Sequence, residues 1–271
     1  PAMPTPFRLY NTLSHDVEDF QPLLPGKISL YVCGMTVYDD AHVGHARAMM
    51  VFDAFVRATS AMGWDVTFVR NFTDVDDKII SRSSERSMKC QELANLYMQN
   101  FARDSQALGL LTPTHEPKVS ESIADIHDLI VKLIEKGHAY LADGSVWFDV
   151  ASDPNYGKLS RQKVAELRSD DADHGKRNSA DFALWKAAKP EEPAWDSPWG
   201  PGRPGGARAG AGVGAGAGAG TGAGTGAGGG AGGSGGVEGY LFVKLPRSTG
   251  ARFPEATLRD LVCTSPGAWR A

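Results

Sequence analysis

The sequence predicts an α/β fold, and three stretches carry that expectation. Residues 28–33 alternate and end in an apolar-aromatic run, which reads as a strand. From Gly44 to about Met62, apolar residues at Met49, Met50, Phe52, Phe55, Val56 and Met62 follow helical spacing, and Gly63 closes the helix. Val66 to Phe72 reads as a second strand. Strand, helix and strand in that order make a βαβ unit, whose strands are expected to be parallel with a right-handed crossover.

Beyond this unit, helical patterns are expected over roughly 84–108 (Leu93, Leu96, Tyr97, Phe101, Leu108) and 119–136 (Val119, Ile123, Ile126, Ile130, Leu133, Ile134). Pro113 and Pro117 punctuate the gap between them. His138–Leu141 and Ser145–Val150, separated by Ala-Asp-Gly, predict a β-hairpin. Ser169 to His174 reads as an exposed polar loop, and Arg177 to Lys186 as a return to compact sequence.

After Gly205 the character changes. More than half of the 32 glycines fall within 205–236, in a nearly pure Gly and Ala run. With almost no side chain to bury, such a run cannot offset its ordering entropy and is expected to be a disordered linker. The tail, Val237 to Ala271, holds a short apolar run (Tyr240–Leu245) and one helix-like turn (Glu255–Val262), too little to bury a core alone.

Composition narrows the function classes. A net charge of −4 gives no global basic face, so a nucleic-acid partner must meet a local patch or a surface outside this chain. Three dispersed cysteines, Cys33, Cys90 and Cys263, argue against a disulfide framework and for a reducing compartment. No run of about 18 apolar residues predicts a membrane span. The first residues, PAMPTPFRLYNT, lack the apolar core of a secretory signal; since the chain starts with Pro rather than Met, an upstream segment that could carry an address is expected.

His42-Val43-Gly44-His45 stands at the start of the first helix. Unpaired N–H groups and the positive end of the helix dipole favour phosphate there. Gly44 allows close backbone approach, and two imidazoles three residues apart share one side of the first turn. Both could donate hydrogen bonds to a polyphosphate and to charge developing on it during nucleotidyl transfer. A bare His-x-x-His is usually a capped helix with surface histidines; here it follows a strand ending in Cys33-Gly34 and precedes a return strand.

The stretch YVCGMTVYDDAHVGHARAMMVFD resembles the signature region of cysteinyl-tRNA synthetases, which are class I aminoacyl-tRNA synthetases. The resemblance continues in order through NFTDVDDKII, THEPKVSES, KGHAYLADG, YGKLSRQ, KRNSADFALWK and SPWGPGRPG, and covers about Phe7 to Gly205. It implies a partial Rossmann-like class I synthetase nucleotide-binding domain with a mixed α+β connective insertion. The expected division is 7–80 for the first half of the catalytic domain, 81–204 for the connective insertion and return, 205–236 for the Gly/Ala linker and 237–271 for an unassigned tail.

The implied activity is ATP-dependent formation of cysteinyl-adenylate and its transfer to the cysteine tRNA, with Mg²⁺ accompanying the ATP. Its implied site comprises His42 and His45 as catalytic residues and Gly34, Thr36, His42, Gly44 and His45 for ATP. Cys33 and Thr73 would meet the substrate cysteine. Cys33 would also be one of four ligands of a Zn²⁺ that takes the substrate thiolate, soft sulfur on zinc discriminating against serine. Asp74, Asp76 and Asp77 invite a magnesium-site reading, but aspartates at this spacing also cap a following helix, and the structural reading is preferred for Asp76 and Asp77. Trp185, Trp195 and Trp199 are expected to be core and turn packing rather than a base-stacking platform. The implied address is cytoplasmic, with plastid or mitochondrion as alternatives, and a monomer is favoured.

Family segments expected after Gly205 are missing: Trp-His-Ile-Glu-Cys-Ser, a Gly-rich His-Gly-Gly-Gly-Ser-Asp, a His-x-x-x-Glu pair, the Lys-Met-Ser-Lys-Ser loop and the anticodon-binding helices. One cysteine cannot complete a tetrahedral zinc site, and Cys263, without a neighbouring histidine, is not expected to replace a ligand. The chain is therefore expected to be incomplete and inactive, with an unpaired edge on its parallel sheet. The rivals are a non-catalytic fragment or binding module, and the related cysteine ligase of mycothiol synthesis. The abrupt change at Gly205 suggests a shifted reading frame, a retained intron or an assembly error. Sequencing the transcript across codons 200–240 should reveal the break, and an unbroken frame through the Gly-Ala run would refute it.

Overall fold

The computed structural model describes residues 4–157, 159 and 175–205, together with the backbone of two short strands, Leu241–Val243 and Cys263–Thr264. The expected loop at Ser169–His174, the Gly/Ala linker past Gly205 and the turn at Glu255–Val262 lie outside the described residues.

The predicted βαβ unit is present. Strand β3 (Lys27–Val32) pairs in parallel with β4 (Asp65–Arg70), in register from Lys27–Asp65 to Val32–Arg70. Helix α1 (Val43–Ala61) connects them. It buries Met49, Phe52, Phe55, Val56 and Thr59, and each large apolar side chain so covered contributes about 1.5–3 kcal/mol. Past its last turn, Gly63 takes φ +93°, a conformation that favours glycine. Ile28, Leu30 and Val32 meet Phe52, Phe55 and Val56 in one core, closed by Leu9, Trp64 and Phe68.

A hairpin that the sequence did not reveal, β1 (Arg8–Asn11) with β2 (Asp16–Asp19), extends the same sheet. Its residues are largely polar and exposed, so no alternation marks it. The tail strands β9 (Leu241–Val243) and β10 (Cys263–Thr264) complete the order β2-β1-β10-β9-β3-β4. This corrects the expected unpaired edge: β9 runs parallel to β3, and β10 bridges β9 and β1. On the other side, residues 114–119 run beside β4 as a broken strand, with backbone bonds from Arg70 N to His115 O at 3.1 Å and Phe72 N to Pro117 O at 2.9 Å. Pro113 and Pro117 limit the pairing to isolated bridges.

The helix expected after the Asp76 cap is α2 (Asp77–Glu85), and the one expected over roughly 84–108 is α3 (Cys90–Ala107), which starts later. Ser87, at φ +52°, turns the chain between them, and Met88 N bonds back to Ser83 O. Ile79, Leu93, Ala94, Tyr97, Met98 and Phe101 then close over Met35, Val37, Met49 and Phe72. Helix α4 (Ile123–Glu135) starts later than expected because Val119–Ser122 forms a turn.

The predicted hairpin is β5 (Ala139–Ala142) and β6 (Ser145–Phe148), joined through Asp143 and Gly144 at φ +49° and +72°. Positive φ at both central residues matches the twist of an antiparallel pair. Strands β7 (Phe182–Ala187) and β8 (Gly202–Pro204) extend it to a four-stranded sheet, on which α4 buries Ile126, Ile130 and Leu133. Trp185 is fully buried there, with Trp195 and Trp199 packed against the same core, as expected.

An ion cluster ties this second sheet to α2. Arg203 on β8, 4% exposed, donates to Asp77 Oδ1 at 2.6 Å and Glu192 Oε2 at 2.8 Å, and Lys186 on β7 donates to Asp77 Oδ2 at 2.7 Å. Burial works to raise both carboxylates, but the hydrogen bonds and charges of Lys186 and Arg203 hold Asp77 below its ordinary range. Arg203 does the same for Glu192. Arg203→Met should therefore cost about 2–3 kcal/mol in denaturant unfolding, less than a fully buried pair because Asp77 is largely exposed. Carboxylates lowered in the folded state add stability that is full above about pH 5 and lost as pH falls through their folded values. That acid loss should shrink in the variant, as read from unfolding midpoints between pH 6 and 3.

Candidate active site

Everything at the candidate site hangs on the carboxyl ends of two parallel strands, where open α/β sheets take ligands. Past Val32 the chain exposes Cys33 and crosses close to Asn71 at Gly34. A Cβ at Gly34 would lie 1.5 Å from the Asn71 carbonyl oxygen, so only glycine lets the two backbones pass. Thr36 then bridges Thr73 in parallel, with Thr73 N to Met35 O and Val37 N to Thr73 O both at 3.3 Å. Cys33, Gly34, Thr36 and Thr73 are thus brought together. Cys33 is exposed and Thr73 is 3% exposed.

A polar network that the sequence reading missed lies beneath them. Asn71, 4% exposed, accepts at Oδ1 from the Tyr31 hydroxyl at 3.0 Å and the Gly34 N–H at 2.8 Å. Its Nδ2 donates to Thr73 Oγ1 at 3.4 Å. Burial pushes the Tyr31 phenol well up, with the neighbouring Cys33 side chain adding to the shift, so the hydroxyl keeps its proton as a donor. Asn71 stood in plain view in the NFTD run, but nothing in its spacing distinguishes a buried amide from a strand-end polar residue.

The two histidines cap α1 with each other. The Gly44 N–H donates to His42 Nδ1 at 3.1 Å, and the His42 N–H donates to His45 Nδ1 at 3.2 Å. This is a capping box built from imidazoles. Because each Nδ1 accepts, each ring carries its proton on Nε2 and offers one N–H donor. The rings stand 4.0 Å apart between centroids. Burial, then the neighbouring His42, lowers the His45 pKa and keeps the ring neutral. A Cβ at Gly44 would sit 2.9 Å from the His42 ring, so glycine leaves the ring room over the helix end. The two rings thus place two Nε2–H donors at the positive end of the α1 dipole, an arrangement suited to an anion.

The loop between the strand and this helix is pinned from α2 and α3. Asp39 pairs with Arg82 and lies 3.8 Å from Arg86, Asp40 accepts from Asn100 Nδ2 at 2.7 Å, and Lys78 stands over the Tyr38 ring. Burial works to raise Asp39, and the Asp40 N–H with the Arg82 guanidinium more than offsets it.

The three aspartates after Thr73 serve structure. Asp74 accepts from Ser120 N at 3.0 Å and Ser120 Oγ at 2.5 Å; Asp76 caps α2 through Lys78 N; Asp77 holds Lys186 and Arg203. Committed to separate partners, they do not converge on a magnesium ion. The donor set does not fit zinc either: among the described residues no three His, Cys, Asp or Glu gather around Cys33 or elsewhere. Cys90 lies on α3 against Ser83 Oγ at 3.1 Å. Cys263 falls on β10, opposite Val243 of β9, which in turn pairs Val32, so two strand spacings separate it from β3.

A family model of the class I (C) tRNA synthetase catalytic domain matches residues 19–207. Cysteine–tRNA ligase of Geobacter metallireducens is 51% identical over 201 residues, 73% of this chain and 41% of that protein. Cysteine–tRNA ligase 2, cytoplasmic, of Arabidopsis thaliana is 52% identical over 73% of this chain and 39% of its own length. A solved LeuRS–tRNA–LeuAMS complex from Agrobacterium radiobacter is 19% identical with a TM-score of 0.41, covering 48% of this chain and 17% of its own, too slight a likeness to bear on the fold. The chain spans about two fifths of the length of these curated relatives. With a family model matched over most of its length, the chain belongs to the class I tRNA synthetase (C) catalytic-domain family.

Proposed function

We propose that this chain carries the amino-acid-activating part of a cysteine–tRNA ligase. The observation behind this reading is the pair of mutually capped imidazoles at the start of α1, beside the Cys33–Thr73 strand ends. In the proposed reaction the cysteine carboxylate oxygen attacks the α-phosphorus of ATP in line. The O–Pα bond forms, the bond to the bridging oxygen breaks, and pyrophosphate leaves. The Nε2–H groups of His42 and His45 donate to the phosphate oxygens as negative charge builds on them, and being fixed beforehand they need no rearrangement.

Gly34, Thr36 and Gly44 would admit the nucleotide close to the backbone, while Cys33 and Thr73 face the substrate cysteine. Mg²⁺ would accompany the ATP. Zn²⁺ on the substrate thiol, implied for Cys33, calls for ligands beyond the described residues. Transfer to the 3′ end of the cysteine tRNA would follow. We place the nucleotide-binding half at 7–80 and the connective insertion at 81–204, with 205–236 as a linker and 237–271 as a tail. A cytoplasmic address is proposed from the likeness to the Arabidopsis cytoplasmic ligase; no helix among the described residues is long and apolar enough to cross a membrane.

Cysteine-dependent ATP–pyrophosphate exchange tests the reading, with zinc measured on the same sample. Exchange with roughly one zinc per chain is the outcome expected of a complete site. Absent exchange with ATP binding retained would instead make the chain a nucleotide-binding module. Where exchange is present, His42→Ala and His45→Ala should each lower its rate by about 10²–10³-fold, the loss expected on removing one transition-state donor. Equal rates in variant and parent would remove the histidines from the mechanism.

A further inference from the structure

We propose that Asn71 is a positioning residue, its buried amide bracketing the Cys33–Gly34 segment against Thr73. The inference rests on the reading of Cys33, Gly34 and Thr73 as substrate-site residues, and it adds the group that sets their spacing. The side chain serves both strands at once. Its oxygen takes the Gly34 N–H at 2.8 Å and the Tyr31 hydroxyl at 3.0 Å, from β3 and the segment after it. Its nitrogen reaches Thr73 Oγ1 at 3.4 Å, on the β4 side. The Tyr31 side chain is fully buried, Asn71 is 4% exposed and Thr73 3%, so none of these groups can exchange its partner freely for water.

Geometry makes the bracket hard to replace. Gly34 passes the Asn71 carbonyl so closely that no side chain fits between, and the hydrogen bond from its N–H is therefore made at the closest approach of the two strands. Loss of the amide would leave two buried donors, the Gly34 N–H and the Tyr31 hydroxyl, without that acceptor. The segment that presents Cys33 would then lose this side-chain link to the β4 side. At 4% exposed, Asn71 offers almost no open surface to a ligand. It acts through its neighbours.

The test reads position directly, in the full chain and without nucleotide or cysteine. In Asn71→Leu, the Gly34 amide should exchange with solvent at least about tenfold faster by NMR, while the Leu30 and Val32 amides keep their rates, since local opening is set by local partners. Peptide-resolved alkylation of Cys33 by iodoacetamide should change at least about threefold, with Cys90 as internal control. Tyr31→Phe, which removes one donor to Asn71 and leaves the Gly34 bond, should leave the Gly34 exchange rate within about twofold of the parent. If Asn71→Leu fails to fold, Asn71→Ser offers the same two readouts. Unchanged Gly34 exchange, or unchanged Cys33 alkylation in a folded variant, overturns the bracket whatever the activity. A bracket found in a chain without pyrophosphate exchange would stand, and the synthetase reading would fall.

Discussion

The close passage of two backbones, at Gly34 and Asn71, is the constraint on which the site depends. Parallel strands are held at a fixed spacing by their ladder bonds, and β3 and β4 keep register over six residue pairs before the ladder ends. Beyond it, the missing side chain at Gly34 lets the segment after β3 lie on β4's extension. That contact delivers Thr36 to Thr73 and fixes where the following loop begins. The loop then needs only to reach the start of α1, where His42 and His45 cap the helix.

Charge organises the surroundings without entering the chemistry. Asp39 is turned toward Arg82 and Arg86, Asp74 toward Ser120, and Asp77 toward Lys186 and Arg203. Each of these three carboxylates is thereby matched with a donor. Arg70 continues the pattern deeper in the molecule. Its guanidinium, 6% exposed, pairs with Glu116 and lies over the Phe101 ring, fastening the 114–119 segment to the outer edge of β4.

Local rules made part of this legible. The βαβ unit announced itself because β3, α1 and β4 each bury a continuous apolar face, and the Asp143-Gly144 turn because its backbone demands positive φ. The histidine pair was legible as standing at a helix start, and Asp76 as a cap from its spacing. What escaped was set by partners distant in sequence. The β1–β2 hairpin is largely polar, so its pairing left no alternation to read. Asn71 matters only because Tyr31 and Gly34 arrive beside it from forty and thirty-seven residues away. The expected unpaired edge failed for the same reason: three residues of the tail, too short to build a core, are enough to occupy a strand position.

That strand position has a consequence for how the chain is made. β9 sits between β3 and β10, so the middle of the larger sheet is filled by residues beginning at Leu241, while its neighbour β3 ends at Val32. At about 5–20 residues per second, roughly 10–40 s of synthesis separate the two. Throughout that interval the nascent βαβ unit carries one flank of β3 with its amides and carbonyls unmatched, the condition under which strands recruit strangers. The tail therefore acts as a late keystone, and the ribosome-bound intermediate, rather than the finished molecule, is where this architecture is most exposed to misassembly.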